Sequence, residues 1–231
     1  MKTIGLLGGM TWESTVIYYQ IVNREIQKRL GGLHSAKILM HSFDFEDVAA
    51  LQSAGKWDEA GAYLAAAGRG LAQSGAGFLV LCCNTMHCVS EAIEKEAGVP
   101  LLHIADPLGA AIRGAGLSRV GLLGTRYTME MPGVVRQRLA GKYGLSVLVP
   151  DGEDAAELHR IIYEELGRGK FLDSSRAACR RIIGGLVARG AQGIVLGCTE
   201  LPLILAPDDS PVPQFDTLAL HAMVIADLAL S

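Results

Sequence analysis

Four short apolar runs punctuate the chain: Ile4–Gly8 (IGLLG), Phe78–Cys82 (FLVLC), Val120–Gly124 (VGLLG) and Gly193–Gly197 (GIVLG). Their length and β-branched content are those of strands buried on both faces. Between them lie longer amphipathic stretches. From Glu13 to Leu30 the apolar residues Val16, Tyr19, Ile21, Val22 and Ile26 keep helical spacing, and from Ala155 to Leu166 Leu158, Ile161, Ile162 and Leu166 do the same. The stretch Thr217–Leu230 also reads as a helix, expected to pack back on the first part of the chain. Strands alternating with helices imply βαβ units and a parallel sheet.

The pattern is written twice. Ile4-Gly5-Leu6-Leu7-Gly8 returns as Val120-Gly121-Leu122-Leu123-Gly124, an offset of 116 from Ile4 to Val120. Gly75-Ala76 with Leu79-Val80-Leu81-Cys82-Cys83 returns as Gly190-Ala191 with Ile194-Val195-Leu196-Gly197-Cys198, an offset of 115 from Leu79 to Ile194. Val99-Pro100, ahead of Leu101, is matched by Val212-Pro213, ahead of Gln214, at an offset of 113. Three matches in one order at nearly one spacing imply duplication. The expected fold is therefore α/β, with two pseudo-symmetric domains, each a mainly parallel sheet flanked by helices. Residues 1–114 with 217–231 would form the first and residues 115–216 the second. Ligands of open parallel sheets bind beyond the carboxyl ends of the strands. The expected active site is thus a shared inter-domain cleft with Cys83 and Cys198 on opposite walls.

Composition narrows the function. Half the residues are hydrophobic, 19% are charged and the net charge is −3, which gives no electrostatic footprint for nucleic acid. No apolar run is long enough to cross a membrane, and Gly8-Gly9 ends the first one too early for a signal peptide. Among the five cysteines (Cys82, Cys83, Cys88, Cys179, Cys198) no spacing makes a CxxC pair. They read as free thiols of a reducing cytoplasm.

Cys83 and Cys198 each close a strand and are followed by a polar turn, Asn84-Thr85-Met86-His87 in one case and Thr199-Glu200-Leu201-Pro202 in the other. Strand-to-helix turns expose backbone N–H groups that favour a carboxylate and lower the pKa of a nearby thiol. A thiol titrating near the working pH serves as base in one form and acid in the other. Racemisation needs such a group on each face of a stereocentre, and single-sided chemistry has no use for the symmetry. Cys82 should point away from Cys83 into the core, since side chains alternate along a strand, while Cys88 and Cys179 fall in helical stretches. His87 is within one helical turn of Cys83, close enough to tune it or to cap the helix. Glu200 is placed to polarise the surroundings of Cys198 or to take a substrate amine. Cys83, His87 and Cys88 have poor spacing for a metal. Gly8-Gly9 completes no phosphate-loop pattern, and the lysines fall away from the strand ends, so neither a metal nor any other cofactor is expected. Trp12 and Tyr19 read as core or interface residues.

Together MKTIGLLGGM at Met1–Met10, C-N-T-x-H at Cys83–His87, G-T-x-x-T at Gly124–Thr128 and G-C-T-E at Gly197–Glu200 resemble the aspartate/glutamate racemase superfamily. The resemblance covers essentially the whole chain and is to the aspartate-racemase-like, broad-specificity amino-acid racemase branch. It implies a pyridoxal-independent racemase with Cys83 and Cys198 as the acid/base pair, a free amino acid as substrate and a homodimer. By the same resemblance Asn84, Thr85, Thr125, Thr128 and Thr199 would hold the substrate's α-carboxylate and amine, and Met10 and Gln52 would border the pocket. Aspartate-specific relatives place an arginine in the loop after the second strand. Here that loop reads Ser42-Phe43-Asp44-Phe45-Glu46-Asp47-Val48, with no basic residue, which leaves a wider or neutral substrate range open. Decarboxylase relatives keep only the second cysteine, so Cys83 argues against that branch. The same residues leave room for a cis–trans isomerase of the superfamily or for a non-catalytic amino-acid-binding protein.

Overall fold

The computed structural model describes residues 1–231. The chain forms two compact units, Met1–Ile104 with His221–Ser231, and Ala105–Leu220.

In the first unit two of the apolar runs become the inner strands of a parallel sheet. β1 (Ile4–Gly8) pairs with β3 (Phe78–Leu81), while β2 (Ile38–Ser42) lies outside β1 and β4 (Leu101–Leu102) outside β3, giving the order β2-β1-β3-β4. Ile4 stands opposite Ile38 on one side and Phe78 on the other. Every residue of β1 and β3 is buried, as inner strands covered by helices on both faces must be. Burying a side chain such as Leu79 contributes about 1.5–3 kcal/mol. The covering helices are α1 (Trp12–Leu30), α2 (Phe45–Ser53), α3 (Trp57–Gln73) and α4 (Ser90–Ala97). On α1 the residues turned inward are Tyr18, Val22 and Ile26. Trp12 and Tyr19 are not core residues: Trp12 is 64% exposed and Tyr19 50%, and Val16 beside them is also exposed.

The second unit repeats the plan. α5 (Ala105–Gly114) precedes β5 (Arg119–Leu123), α6 (Arg126–Glu130), α7 (Val135–Tyr143), β6 (Ser146–Leu148), α8 (Gly152–Arg160), α9 (Asp173–Ala188), β7 (Ile194–Leu196), β8 (Gln214–Asp216) and α10 (Thr217–Leu230). Its parallel sheet runs β6-β5-β7-β8, the same order as in the first unit. Loop bonds repeat as well. Ala76 N–H donates to Leu71 O and Ala191 N–H to Leu186 O, both at 3.0 Å. Leu79 N–H donates to Pro100 O at 2.8 Å, and Ile194 N–H to Pro213 O at 2.9 Å. The duplication read from the sequence is a duplication of backbone hydrogen bonding.

Three boundaries differ from the sequence reading, the third being the start of the C-terminal return at His221 instead of Thr217. α5 belongs to the second unit rather than the first, where its Asp106 accepts from Arg138 Nε (2.8 Å) and Nη2 (2.7 Å) on α7 and Gly109 packs against the Tyr143 ring. The helix expected over 155–166 gives way after Arg160 to a π-helical turn, Ile161–Glu165. Leu158, Ile161, Ile162 and Leu166 are nevertheless all buried. From His221 onward α10 belongs to the first unit. There Lys2 N–H donates to Ala229 O (2.8 Å), and the Tyr18 hydroxyl meets His221 Nδ1 (3.0 Å). No helix is long and apolar enough to cross a membrane.

Candidate active site

In a sheet ordered β2-β1-β3-β4, the chain leaves β1 toward one edge and β3 toward the other, so a crevice opens at the carboxyl ends of these two strands. In the first unit the chain leaving β1 carries Gly8-Gly9-Met10, and Gly9 N–H donates to the Thr15 hydroxyl on the first turn of α1 (2.9 Å). Beyond β3, Cys82 N–H still donates to Leu7 O (2.9 Å). Cys83 comes next, 8% exposed, in one buried cluster with Met10, Phe43 and Met86. Gln52, 2% exposed on α2, donates from Nε2 to Met86 Sδ (3.0 Å). Asn84 and Thr85 are buried where the 3-10 turn Thr85–Val89 begins.

His87 is buried behind this turn. Ile104 N–H donates to His87 Nε2 (3.1 Å), so that nitrogen is an acceptor, the proton sits on Nδ1, and Nδ1 donates to Cys83 O (2.8 Å). The imidazole thus ties the backbone of Cys83 to the end of β4.

The second unit presents the same turn with other chemistry. Gly197 N–H donates to Leu123 O at 2.7 Å, in the place of the Cys82 bond. A methyl group on Gly197 would lie 2.5 Å from Leu122 Cδ1 and 2.7 Å from Leu123 O, so only glycine lets β7 end this close to β5. Cys198 follows, 7% exposed. Its Sγ donates to Glu200 Oε2 at 2.9 Å, and the Thr199 hydroxyl donates to the same oxygen at 3.0 Å. Glu200 is 4% exposed. Beside them, past the end of β5, Thr125 caps α6: its hydroxyl accepts from Thr128 N–H (3.2 Å), and the two threonine hydroxyls are 3.2 Å apart. Thr217 Oγ1 donates to Leu196 O, anchoring α10 to the end of β7 (2.9 Å).

In the first unit Met10, Gln52, Cys83, Asn84 and Thr85 lie buried around the ends of β1 and β3, with His87 packed behind the Cys83 turn. The second gathers Thr125, Thr128, Cys198, Thr199 and Glu200 at the equivalent strand ends. The remaining cysteines have a different character. Burial pushes the Cys82 thiol far above its ordinary range, Cys179 up to about 12 and Cys88 up to about 11, and no cysteine is in a disulfide. Within either unit no group of three His, Cys, Asp or Glu side chains is arranged to hold a metal ion. Thr15, Met86, Ile104 and Thr217 are supporting residues that sequence reading missed. Each acts through a contact from another element; Met86 fills the variable position of the C-N-T-x-H run, and the other three stand in none of the quoted motifs.

Residues 7–225 match the Asp/Glu/Hydantoin racemase family. The chain belongs to that family. It is similar to a candidate Asp/Glu racemase from Yersinia pestis, with 48% identity, both chains covered in full and a TM-score of 0.92. An aspartate racemase homologue from Pyrococcus horikoshii OT3 is 33% identical, again over both full chains, with a TM-score of 0.82. The aspartate racemase of Picrophilus torridus shares the fold at 19% identity, over 98% of this chain and 95% of that one, with a TM-score of 0.72.

Proposed function

We propose that this racemase-family protein interconverts the enantiomers of a free amino acid without a cofactor, using Cys83 and Cys198 as opposed acid and base. The observation that carries the reading is positional. Both cysteines stand two residues beyond the inner strand of sheets with one strand order, Cys83 after Leu81 and Cys198 after Leu196.

In the proposed cycle a thiolate at Cys83 takes the α-proton from one face. The Cα–H electron pair passes into the substrate carboxylate as an enediolate, and the Cys198 thiol returns a proton to the opposite face. The reverse reaction exchanges the roles. The developing negative charge needs donors aimed at the carboxylate. Asn84, Thr85, Thr125, Thr128 and Thr199 supply amide, hydroxyl and turn N–H groups at the two strand ends, and Met10 and Gln52 line the apolar side. The acidic loop from Asp44 to Asp47 favours a range that reaches beyond aspartate and glutamate. The undisulfided thiols fit a reducing cytoplasm. We also take the protein to be a homodimer, and sedimentation of a monomer at working concentration would remove that part.

The test is incubation of an amino-acid panel with reduced protein in D2O without added cofactor. Deuterium should enter the α-position of at least one member as its enantiomer appears. Stoichiometric binding with no α-deuteration anywhere in the panel would replace the racemase with a binding protein. Loss of CO2 from a malonate substrate would replace it with a decarboxylase.

A further inference from the structure

The internal repeat breaks at one chemically telling place. The residue two positions past Cys83 is Thr85, and the residue two positions past Cys198 is Glu200. We infer that Glu200 is a positioning residue that keeps the proton on Cys198, making Cys198 the acid and Cys83 the base of the resting enzyme; this rests on the two-thiol reading above.

Three features carry the assignment. Oε2 of Glu200 accepts from both Cys198 Sγ (2.9 Å) and Thr199 Oγ1 (3.0 Å), so the side chain is turned onto the thiol. Glu200 is also buried, so its charge acts on the thiol with little screening by water. Finally, a carboxylate at this distance opposes a neighbouring thiolate and offers its thiol form an acceptor. Both effects hold the proton on sulfur. The other carboxyl group at this end of the sheet, Asp216, closes β8 and is engaged elsewhere, its Oδ1 accepting from Leu218 N–H (2.8 Å) and Ala219 N–H (3.2 Å) at the start of α10. The hydroxyls of Thr125 and Thr128 bring no charge.

A two-thiol cycle starts with one thiol and one thiolate. With the proton fixed on Cys198, the resting enzyme accepts the enantiomer that presents its α-hydrogen to Cys83. After turnover the proton lies on Cys83, and a thiolate at Cys198 faces the Glu200 carboxylate. The two directions therefore start from protonation states of unequal stability, although the two thiols occupy equivalent positions.

The experiment measures the thiol itself. Alkylation of Cys198 by iodoacetamide is followed against pH by mass spectrometry of its peptide, in the unaltered protein, Glu200→Gln and Glu200→Ala. Thiolate absorbance against the matching Cys198→Ser protein corrects for access. The midpoint for Cys198 should fall by about one pH unit or more in both variants, with alkylation near neutral pH about tenfold faster. An unchanged or raised midpoint in folded Glu200→Gln and Glu200→Ala overturns the assignment. The titration requires no turnover, so a failed racemase reading, seen as absent α-deuteration, is distinguishable from a failed role for Glu200.

Discussion

Cys83 and Cys198 are both buried, 8% and 7% exposed, and each lies at the first position past its strand's last ladder bond, made by Cys82 N–H to Leu7 O and by Gly197 N–H to Leu123 O. Cys83→Ser and Cys198→Ser should each lower racemisation by about 10²–10⁴-fold, the worth of a positioned proton carrier, with unchanged circular dichroism. Near-full activity in either single variant would contradict the two-thiol scheme. His87 works one step back, through the backbone. Replacing it with leucine strips partners from buried Cys83 O and Ile104 N–H and should cost about 1–3 kcal/mol in denaturant unfolding. The cysteine pair was legible in the sequence because the repeat singles out two thiols from five. The role of His87 was not: tuning and packing read alike until β4 delivers the Ile104 N–H that fixes its tautomer. The sequence reading placed Glu200 near Cys198 but did not settle its contact, since a carboxylate two residues past a turn cysteine points at the thiol or away from it according to backbone angles that residue spacing does not specify.

At the scale of elements, the inner strands were legible as apolar runs, while the edge strands carried no such run and showed only by their place, as β2 does ahead of the Ser42 loop. β1, β3, β5 and β7 are apolar runs buried on both faces. β4, β6 and β8 are two or three residues long, too short to show a period. The π turn at Ile161–Glu165 was hidden for another reason: it buries the same four side chains that a continuous helix would. Two glycines separate strand packing from helix propensity. Gly197→Ala forces a methyl group against Leu122 and the Leu123 carbonyl and should destabilise by about 1–3 kcal/mol, moving the Cys198 turn with it. Gly184→Ala, on an exposed face of α9 with nothing near its added methyl, should stabilise by about 0.5–1 kcal/mol. A thermal melt of both variants checks the pair, and equal effects would mean that the β5–β7 contact is looser than its geometry.

Across the whole molecule, the duplicated α/β plan was readable from three sequence matches, while the placement of α5 rests on contacts with α7 that the sequence does not display, among them the ion pairs of Asp106 with Arg138 and Lys142. Burial alone would raise the pKa of Asp106, but hydrogen bonds and charge from Arg138 and Lys142 outweigh it and hold the carboxyl well below the usual carboxylate range. A carboxyl with a lowered folded-state pKa adds stability at neutral pH and loses that contribution as pH falls below about 4. Asp106→Asn should therefore destabilise by about 1–2 kcal/mol at pH 7, with the difference from the unaltered protein closing toward pH 2. A constant difference across that range would remove the ionic explanation for where α5 packs. Family membership supports amino-acid racemase chemistry, and the acidic loop after β2 shapes the question of which amino acid is used.

The central claim is that two separate groups handle the α-proton, one on each face. The most direct measurement is the isotope content of both enantiomers at early times, starting from a single protiated enantiomer in D2O. Two opposed thiols predict product carrying solvent deuterium while the remaining substrate keeps its hydrogen. Deuterium appearing equally in both from the outset, or product that retains the substrate's hydrogen, would mean that a single base serves both faces and would contradict the account.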